Sequence, residues 1–371
     1  VTPPPFDHAC WAWTHADQLA DLSESQWELV IRQARAANLL ARLAHRLAER
    51  GLLSQVPEAP RLHLTEMLFV AAAQQREIVR EIRLMLDAVR SAAVPVVLLK
   101  GAAYLATGLP AAQGRLFSDI DILVPRAALD PVETLLNLHG WMSTHHSAYD
   151  QRYYRQWMHE LPPMQHSRRQ TVLDVHHNIL PLTVRAVPDA TLLLAAACPV
   201  GGFEGAQVLA PVDMVLHSMC HLFHNDDLSH GLRDLTDLDL LLRYFSADPA
   251  FWPTLVDRSV ALGLQRVLYY GLTSTATLLG TPIPASALAA AQRHAPAAPV
   301  TALMRALWRR GLRSPHPTAR LRGDAVARFA LYLRAHWLRM PPTLLARHLA
   351  IKAWMRWRGG ATTPTTPTTA A

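Results

Sequence analysis

The sequence predicts an α+β fold: a small mixed sheet carried by the middle of the chain, flanked by largely helical N- and C-terminal regions. Three observations predict it. Tracts outside the middle, such as ANLLARLAHRLAER, repeat apolar residues at helical spacing. Between about 94 and 180, short β-branched apolar runs alternate with turn residues, as strands do. The chain has 371 residues, half of them apolar, enough to bury a core spread over about two or three subdomains.

Residues 14–51 read as one or two helices, with Leu39, Leu40, Leu43 and Leu47 on one stripe and Gly51 as the stop. SQVPEAP (54–60) is a linker. A long helix follows from about Leu62 to Ala93, its apolar side made by Leu64, Leu68, Ala71, Ile78, Ile82, Met85 and Val89. Pro95 excludes its continuation. Residues 1–93 thus form an N-terminal helical region. VPVVLL (94–99) is a buried strand ending at Lys100-Gly101, and AAYLATG fits a short helix closed by Gly108. DIDILV (119–124) alternates as a strand, and Pro131 to His139 fits a helix with proline in its first turn. WMSTHH and TVLDVHHNI (171–179) fit further strands, whereas 149–170 shows no clear period. The sheet-bearing unit is 94–185, with about four to six strands.

Helical signals return at 211–225, 230–245, 252–262, 264–279, 298–311, 323–338 and 342–357. The stretch 281–300 reads as a loose connection. This divides the remainder into a helical region, 186–299, that covers the cleft, basic helices at 300–358, and a disordered low-complexity tail, 359–371.

Cys10, Cys198 and Cys220 lie far apart without metal-type spacing, which suits a reducing compartment. The N-terminus has no basic segment followed by an apolar run, and the longest apolar run, Leu192 to Val200, is too short to span a bilayer. The expectation is a cytoplasmic protein. The net charge of +7 is uneven: from Val300 onward 13 Lys and Arg face one acid, Asp324, giving +12, so the other residues sum to −5. The C-terminal tract mixes Trp308, Trp337, Trp354 and Trp357 with these arginines. It suits an anionic membrane surface or nucleic acid, or an amphipathic face packing on the domain with arginine stems lying along it. The packing reading is preferred.

The chemistry-bearing residues lie in the middle. A strand puts residues i and i+2 on one face, so Asp119 and Asp121 are neighbours there. Ile120, Ile122 and Val124 then point into the core, and Leu123 stands on the carboxylate face beyond the acids. An unpaired carboxylate in an otherwise buried strand is costly, which argues against two ordinary strand-end acids. Asp237 and Asp239 repeat the spacing, but on a helix, where i and i+2 do not face each other. In VVLLKGAAYL, Gly101 lets the backbone approach a ligand and the following helix offers free N–H groups to a phosphate. Lys100 and Arg115 add positive charge, and Ser118 adjoins the acids. Asp174 alternates with Val172 and His176 on its strand and could serve an acceptor as a base. These residues predict phosphoryl transfer, in which about two Mg2+ ions on three carboxylates stabilise the attacking and leaving oxygens, with Mn2+ as a substitute.

In this order the motifs resemble those of bacterial nucleotidyltransferases of the DNA polymerase β-like superfamily, in the subgroup with Lys-Gly at the turn. The resemblance rests on LLKGAAYL (98–105), RLFSDIDILV (115–124), LDVHHNIL (173–180), and DMVLHSMCHLF with LRDLTDLDLLL (213–242). It spans about 95–357. It implies that Asp119, Asp121 and Asp174 bind two divalent ions and that Lys100, Gly101, Arg115 and Ser118 bind an NTP. It further implies a small-molecule or peptide acceptor rather than nucleic acid. Many superfamily members carry Gly-Gly or Gly-Ser at the turn, which leaves the triphosphate contacts open here.

His217, His221 and His224 fall on one helix face. Two of them could ligate zinc, and HNDD (224–227) faintly resembles a His-Asp metallophosphohydrolase. Core or acceptor-pocket histidines fit better. One of His176 and His177 should enter the cleft while the other packs behind. Arg233 and Asp234 either orient a substrate or form a helix-surface ion pair. The rival from another class is a non-catalytic nucleotide- or peptide-binding protein on the same fold.

Overall fold

The computed structural model describes residues 7–345 apart from 146, 342 and 344. Seven strands form one mixed sheet: β1 (Val96–Leu98), β2 (Asp119–Leu123), β3 (Trp141–Ser143), β4 (Met164–His166), β5 (Val172–His176), β6 (Cys198–Pro199) and β7 (Ala206–Val208). Their order is β3-β4-β5-β2-β1-β7-β6. At the centre, β2 runs parallel to β5 and antiparallel to β1. Ile120, Ile122, Leu123 and Val124 are wholly buried, so the inner strand is covered on both faces beyond its two acids.

The sheet extends further than the stretch 94–180. β7 pairs parallel with β1 and carries β6 antiparallel on its outer side. Strands of two and three residues leave no alternation for a sequence pattern to reveal. The segment without a clear period resolves into the helix Ala148–Trp157 and β4. The Ser147 hydroxyl caps that helix, accepting the Asp150 N–H.

In the N-terminal region the helices His8–Thr14, Glu24–Ala36 and Leu40–Glu49 share a second core that contains Leu39, Leu40, Leu43 and Leu47. Ser23 and Gln26 close a capping box at the second of them. The long helix, Glu58–Val89, buries Leu64, Ala71, Ile78, Ile82, Met85 and Val89. Two contacts tie this region to the approach of β2. The Gln74 amide accepts from the Phe117 N–H and donates to its carbonyl, both at 2.8 Å. Gly114, at φ +62°, passes so close to the helix Leu40–Glu49 that a Cβ would lie 2.5 Å from the Ala41 carbonyl oxygen.

The later helices include Pro211–His224, Gly231–Phe245, Phe251–Ala261, Gln265–Leu279, Ala298–Gly311 and Asp324–Arg339. A further helix, Ala285–Gln292, lies within the stretch read as a loose connection. Its sequence, ASALAAAQ, is alanine-rich, and alanine's helix propensity prevails between the flanking prolines. The helix predicted at 342–357, the tail 359–371, Trp354 and Trp357 lie outside the described residues. No described helix is long and apolar enough to cross a membrane.

Several arginines of the basic tract turn inward. Arg310 pairs with Asp324 at 3.2 Å, and Arg339 with Asp226 at 2.9 Å. The Arg334 guanidinium lies over the Tyr270 and Trp308 rings and donates to the Phe223 carbonyl. Trp308 is buried, whereas Trp337 is 56% exposed. This part of the tract packs on the domain through its arginine stems.

Candidate active site

Register brings the acids together. β2 and β5 align Asp121 opposite Asp174, Asp119 opposite Val172, and Leu123 opposite His176. The two-residue period then puts Asp119, Asp121, Asp174 and His176 on one face. Carboxylate oxygens of the three acids lie within 4.8 Å of one another. They border a cavity of about 320 Å³ lined by Lys100 at the turn after β1, by Asp119, Asp174 and His176 from the sheet and by His217, His221 and His224 from the helix Pro211–His224. Tyr153, Tyr154 and Arg339 complete much of the wall. Larger clefts exist elsewhere, of about 610 and 720 Å³, but neither contains a carboxylate cluster of this kind.

Asp121 sits beneath the cavity floor, almost inaccessible. Leu99 donates its N–H to the Asp121 carbonyl at 2.9 Å, which carries the pairing of β1 and β2 one residue further. The chain turns at once at Lys100, whose φ is +44°. For a side chain in this left-handed region the cost is roughly 1–2 kcal/mol. Lys100 Nζ lies 2.7 Å from Asp121 Oδ1, and His176 Nε2 lies 3.0 Å from the same oxygen. Burial works against the Asp121 charge, but Lys100 and then His176 outweigh it and hold the carboxyl well below its ordinary range. Burial also works against the Lys100 ammonium, and Asp121 and Asp119 more than compensate.

Asp174 has the opposite environment. Burial and the neighbouring Glu160, Asp119 and Asp121 all push its carboxyl well above the ordinary range, and Lys100 only partly offsets them. Its Oδ1 is buried without a hydrogen-bond partner among the described residues. Hard oxygen donors, an orphaned carboxylate oxygen and crowded like charges suit a divalent cation, which supplies the missing positive charge. Ser118, exposed at the strand entrance, donates to Asp119 Oδ1 at 2.9 Å and so orients that acid.

Two residues predicted to meet the triphosphate have other surroundings. A Cβ on Gly101 would lie 2.7 Å from Arg115 Nε and 2.9 Å from Phe117 Cε1, so glycine here admits protein side chains. Arg115 is buried, 2.8 Å from Asp237 Oδ2, and shares Asp237 with Arg42 at 2.6 Å. Its charge is engaged behind the turn.

His217 and His221 reach the cavity, both held neutral chiefly by burial and then by Lys100, with His221 lowered to about 3. His176 enters the cleft, while His177 is buried away from its lining. Arg233 and Asp234 form a buried pair, at 2.8 and 2.9 Å, not a surface one, and Asp234 lies 3.6 Å from His221 Nε2. They stand behind the cavity lining. Sequence reasoning missed His159 and Glu160, which line the cavity beside His176. Only the adjacent donors in WMHEL marked them.

Residues 23–280 match the family described as uncharacterised nucleotidyltransferase. The chain belongs to that family. This nucleotidyltransferase is therefore a transferase enzyme that uses a nucleotide donor. The match covers the N-terminal helices from Glu24–Ala36 onward, the sheet and the helices up to Gly280. It thus begins earlier and ends earlier than the sequence resemblance, leaving out the basic tract. No curated protein and no solved structure matches the chain.

Proposed function

We propose that this nucleotidyltransferase moves a nucleoside monophosphate from an NTP to a hydroxyl or phosphate of a small-molecule, peptide or protein acceptor. The observation that carries the reading is the facing of Asp121 and Asp174 across β2 and β5, with Asp119 on the same face and one Asp174 oxygen buried and unpartnered. Three carboxylates fit Mg2+, with Mn2+ as a substitute; when bound, the ions neutralise phosphate charge and orient the reacting oxygens. Asp119, Asp121 and Asp174 would hold the ions.

Lys100 leaves Asp121 for the outer phosphates of the donor, since its ammonium already stands at the rim of the acids. The acceptor oxygen attacks the α-phosphorus, its proton passes to Asp174, and the bond to pyrophosphate breaks as the new P–O bond forms. His217 and His221, neutral in the wall, offer hydrogen bonds to the acceptor without adding charge. A cavity of about 320 Å³ suits a small molecule or a side chain better than a folded nucleic acid.

The test is incubation of the enzyme and Mg2+ with each of the four NTPs in cell extracts. Pyrophosphate release and a product heavier by one nucleotidyl group are expected. An enzyme that binds NTP and yields neither with any extract would defeat the proposal.

A further inference from the structure

We propose that His159, Glu160 and His176 form a second metal site, distinct from the three aspartates, for a borderline divalent cation such as Zn2+. One ligand atom from each residue lies within 4.8 Å of the others. The arrangement is fixed by backbone bonding. Glu160 and His176 are partners in an antiparallel bridge, so their side chains are neighbours. On either side, His177 donates to the His159 carbonyl at 2.8 Å and Leu161 donates to the Val175 carbonyl at 2.8 Å.

The decisive group is His176. It is 2% exposed, and its Nε2 is 3.0 Å from Asp121 Oδ1. With Nε2 engaged there, Nδ1 is the ring nitrogen free to ligate. Nδ1 lies 3.2 Å from Glu160 Oε2, yet makes no hydrogen bond with any described residue. An imidazole nitrogen and a carboxylate oxygen thus face each other at the cavity wall without a hydrogen bond, a donor pair suited to a cation beside them. His159 Nε2 approaches the same Glu160 oxygen at 3.9 Å. Ligands on a tetrahedral zinc stand about 3.3 Å apart, given bonds of about 2.0 Å, so only a small adjustment is required.

The donors decide the metal class. Two imidazoles and one carboxylate favour Zn2+ over Mg2+, which the all-oxygen aspartate set prefers. Asp121 holding the remote nitrogen of His176 is the carboxylate–histidine–metal relay that commonly orients a ligating imidazole. Three protein ligands leave a position open, and all three residues line the cavity, so that position can take water or an acceptor oxygen.

The proposal stands apart from nucleotidyl transfer, because its test reads bound metal and not turnover. Chelator-stripped full-length protein is titrated with Zn2+ under saturating Mg2+, and metal is counted after gel filtration. One Zn2+ per chain is expected in the wild type and in Asp119→Asn, with affinity at least about tenfold weaker in His159→Ala and in the near-isosteric Glu160→Gln. Co2+ should give visible absorption bands that Glu160→Gln removes. The absence of stoichiometric zinc would mean that a proton on His176 bridges the two acids, and would overturn the site. So would zinc that survives both His159→Ala and Glu160→Gln, or zinc lost in Asp119→Asn but kept in His159→Ala, which belongs to the aspartates.

Discussion

Two acid-x-acid pairs in this enzyme share one spacing and have opposite fates. Asp237 and Asp239 lie on the helix Gly231–Phe245, buried against cationic partners. Asp237 meets Arg42 and Arg115, while Asp239 meets Arg243, the Thr281 hydroxyl and the Trp13 indole. Asp119 and Asp121 lie on a strand and share a face with Asp174, and among the described residues the cationic partners of these three acids, Lys100 and His176, both contact one oxygen of Asp121. Buried acids that are fully paired join segments of the chain, here the N-terminal helices, the turn before β2 and the helix behind them. Buried acids left short of positive charge are poised to receive it from a ligand.

The sharpest way to break this comparison is to neutralise one acid from each pair. Asp119→Asn should cut turnover about a thousandfold or more, the scale of losing transition-state charge stabilisation, while leaving the melting temperature nearly unchanged. Asp121→Asn should cost as much activity and also destabilise, because it strips Lys100 of its partner. Asp237→Asn should instead cost about 3–5 kcal/mol of stability in denaturant titration, and its folded fraction should transfer nucleotide at the normal rate. An Asp237→Asn protein that melts normally but is inactive would erase the distinction.

Asp174 is the next test. Asp174→Asn should lower the maximal rate about a hundredfold or more while nucleotide affinity stays within a few-fold of the wild type. Single-turnover measurement beside calorimetric titration of NTP checks this. A destabilised mutant whose folded fraction reacts normally would make Asp174 a structural acid.

The same residue predicts a pH signature. The Asp174 carboxyl is raised by burial and by Glu160, Asp119 and Asp121. In the cation-free protein the folded state therefore keeps a proton that the unfolded chain releases above the ordinary carboxyl value of 3.8. Its contribution to stability is full below that pH and declines as pH rises toward the folded pKa. Melting of Asp174→Asn should lack this decline and lie a few degrees above the wild type at neutral pH, and Mg2+ should narrow the gap by stabilising only the wild type. A wild type that gains stability across this range without cation would contradict the assignment.

The smallest effect concerns Lys100. Removing its charge with Lys100→Ala should weaken NTP binding several-fold more than NMP binding, because the ammonium serves the outer phosphates. Without nucleotide, Mg2+ should bind somewhat more tightly, since Asp121 loses its internal competitor. Equal losses for NTP and NMP would leave Lys100 as a shaper of the turn alone.

Much of this site was legible in the sequence. The alternation of DIDILV puts two acids on one face whatever the partner strand, and the apolar Ile120, Ile122 and Val124 require burial of the other. Asp174 shows the same two-residue alternation. An arginine close to a phosphate turn reads as a ligand, whereas the pairing of Arg115 with Asp237 depends on a helix 122 residues later. His159 and Glu160 stayed hidden because a single-residue bridge carries no period. The Ala285–Gln292 helix was missed for a different reason: its flanking prolines outweighed its alanines in the reading.

By itself, then, the sequence determined what short-range periodicity can encode. It set the helical flanks, the sheet-bearing middle, and the acids that must share a face. Tertiary structure alone decided which charges meet. The β2–β5 register set Asp121 against Asp174, the bridge at Glu160 set it against His176, and the helices carrying Arg42 and Asp237 drew Arg115 away from the cavity. The physical reason is range. A backbone period fixes where side chains point along one element, whereas ion pairing and desolvation depend on groups brought within a few ångströms by chain that is remote in sequence.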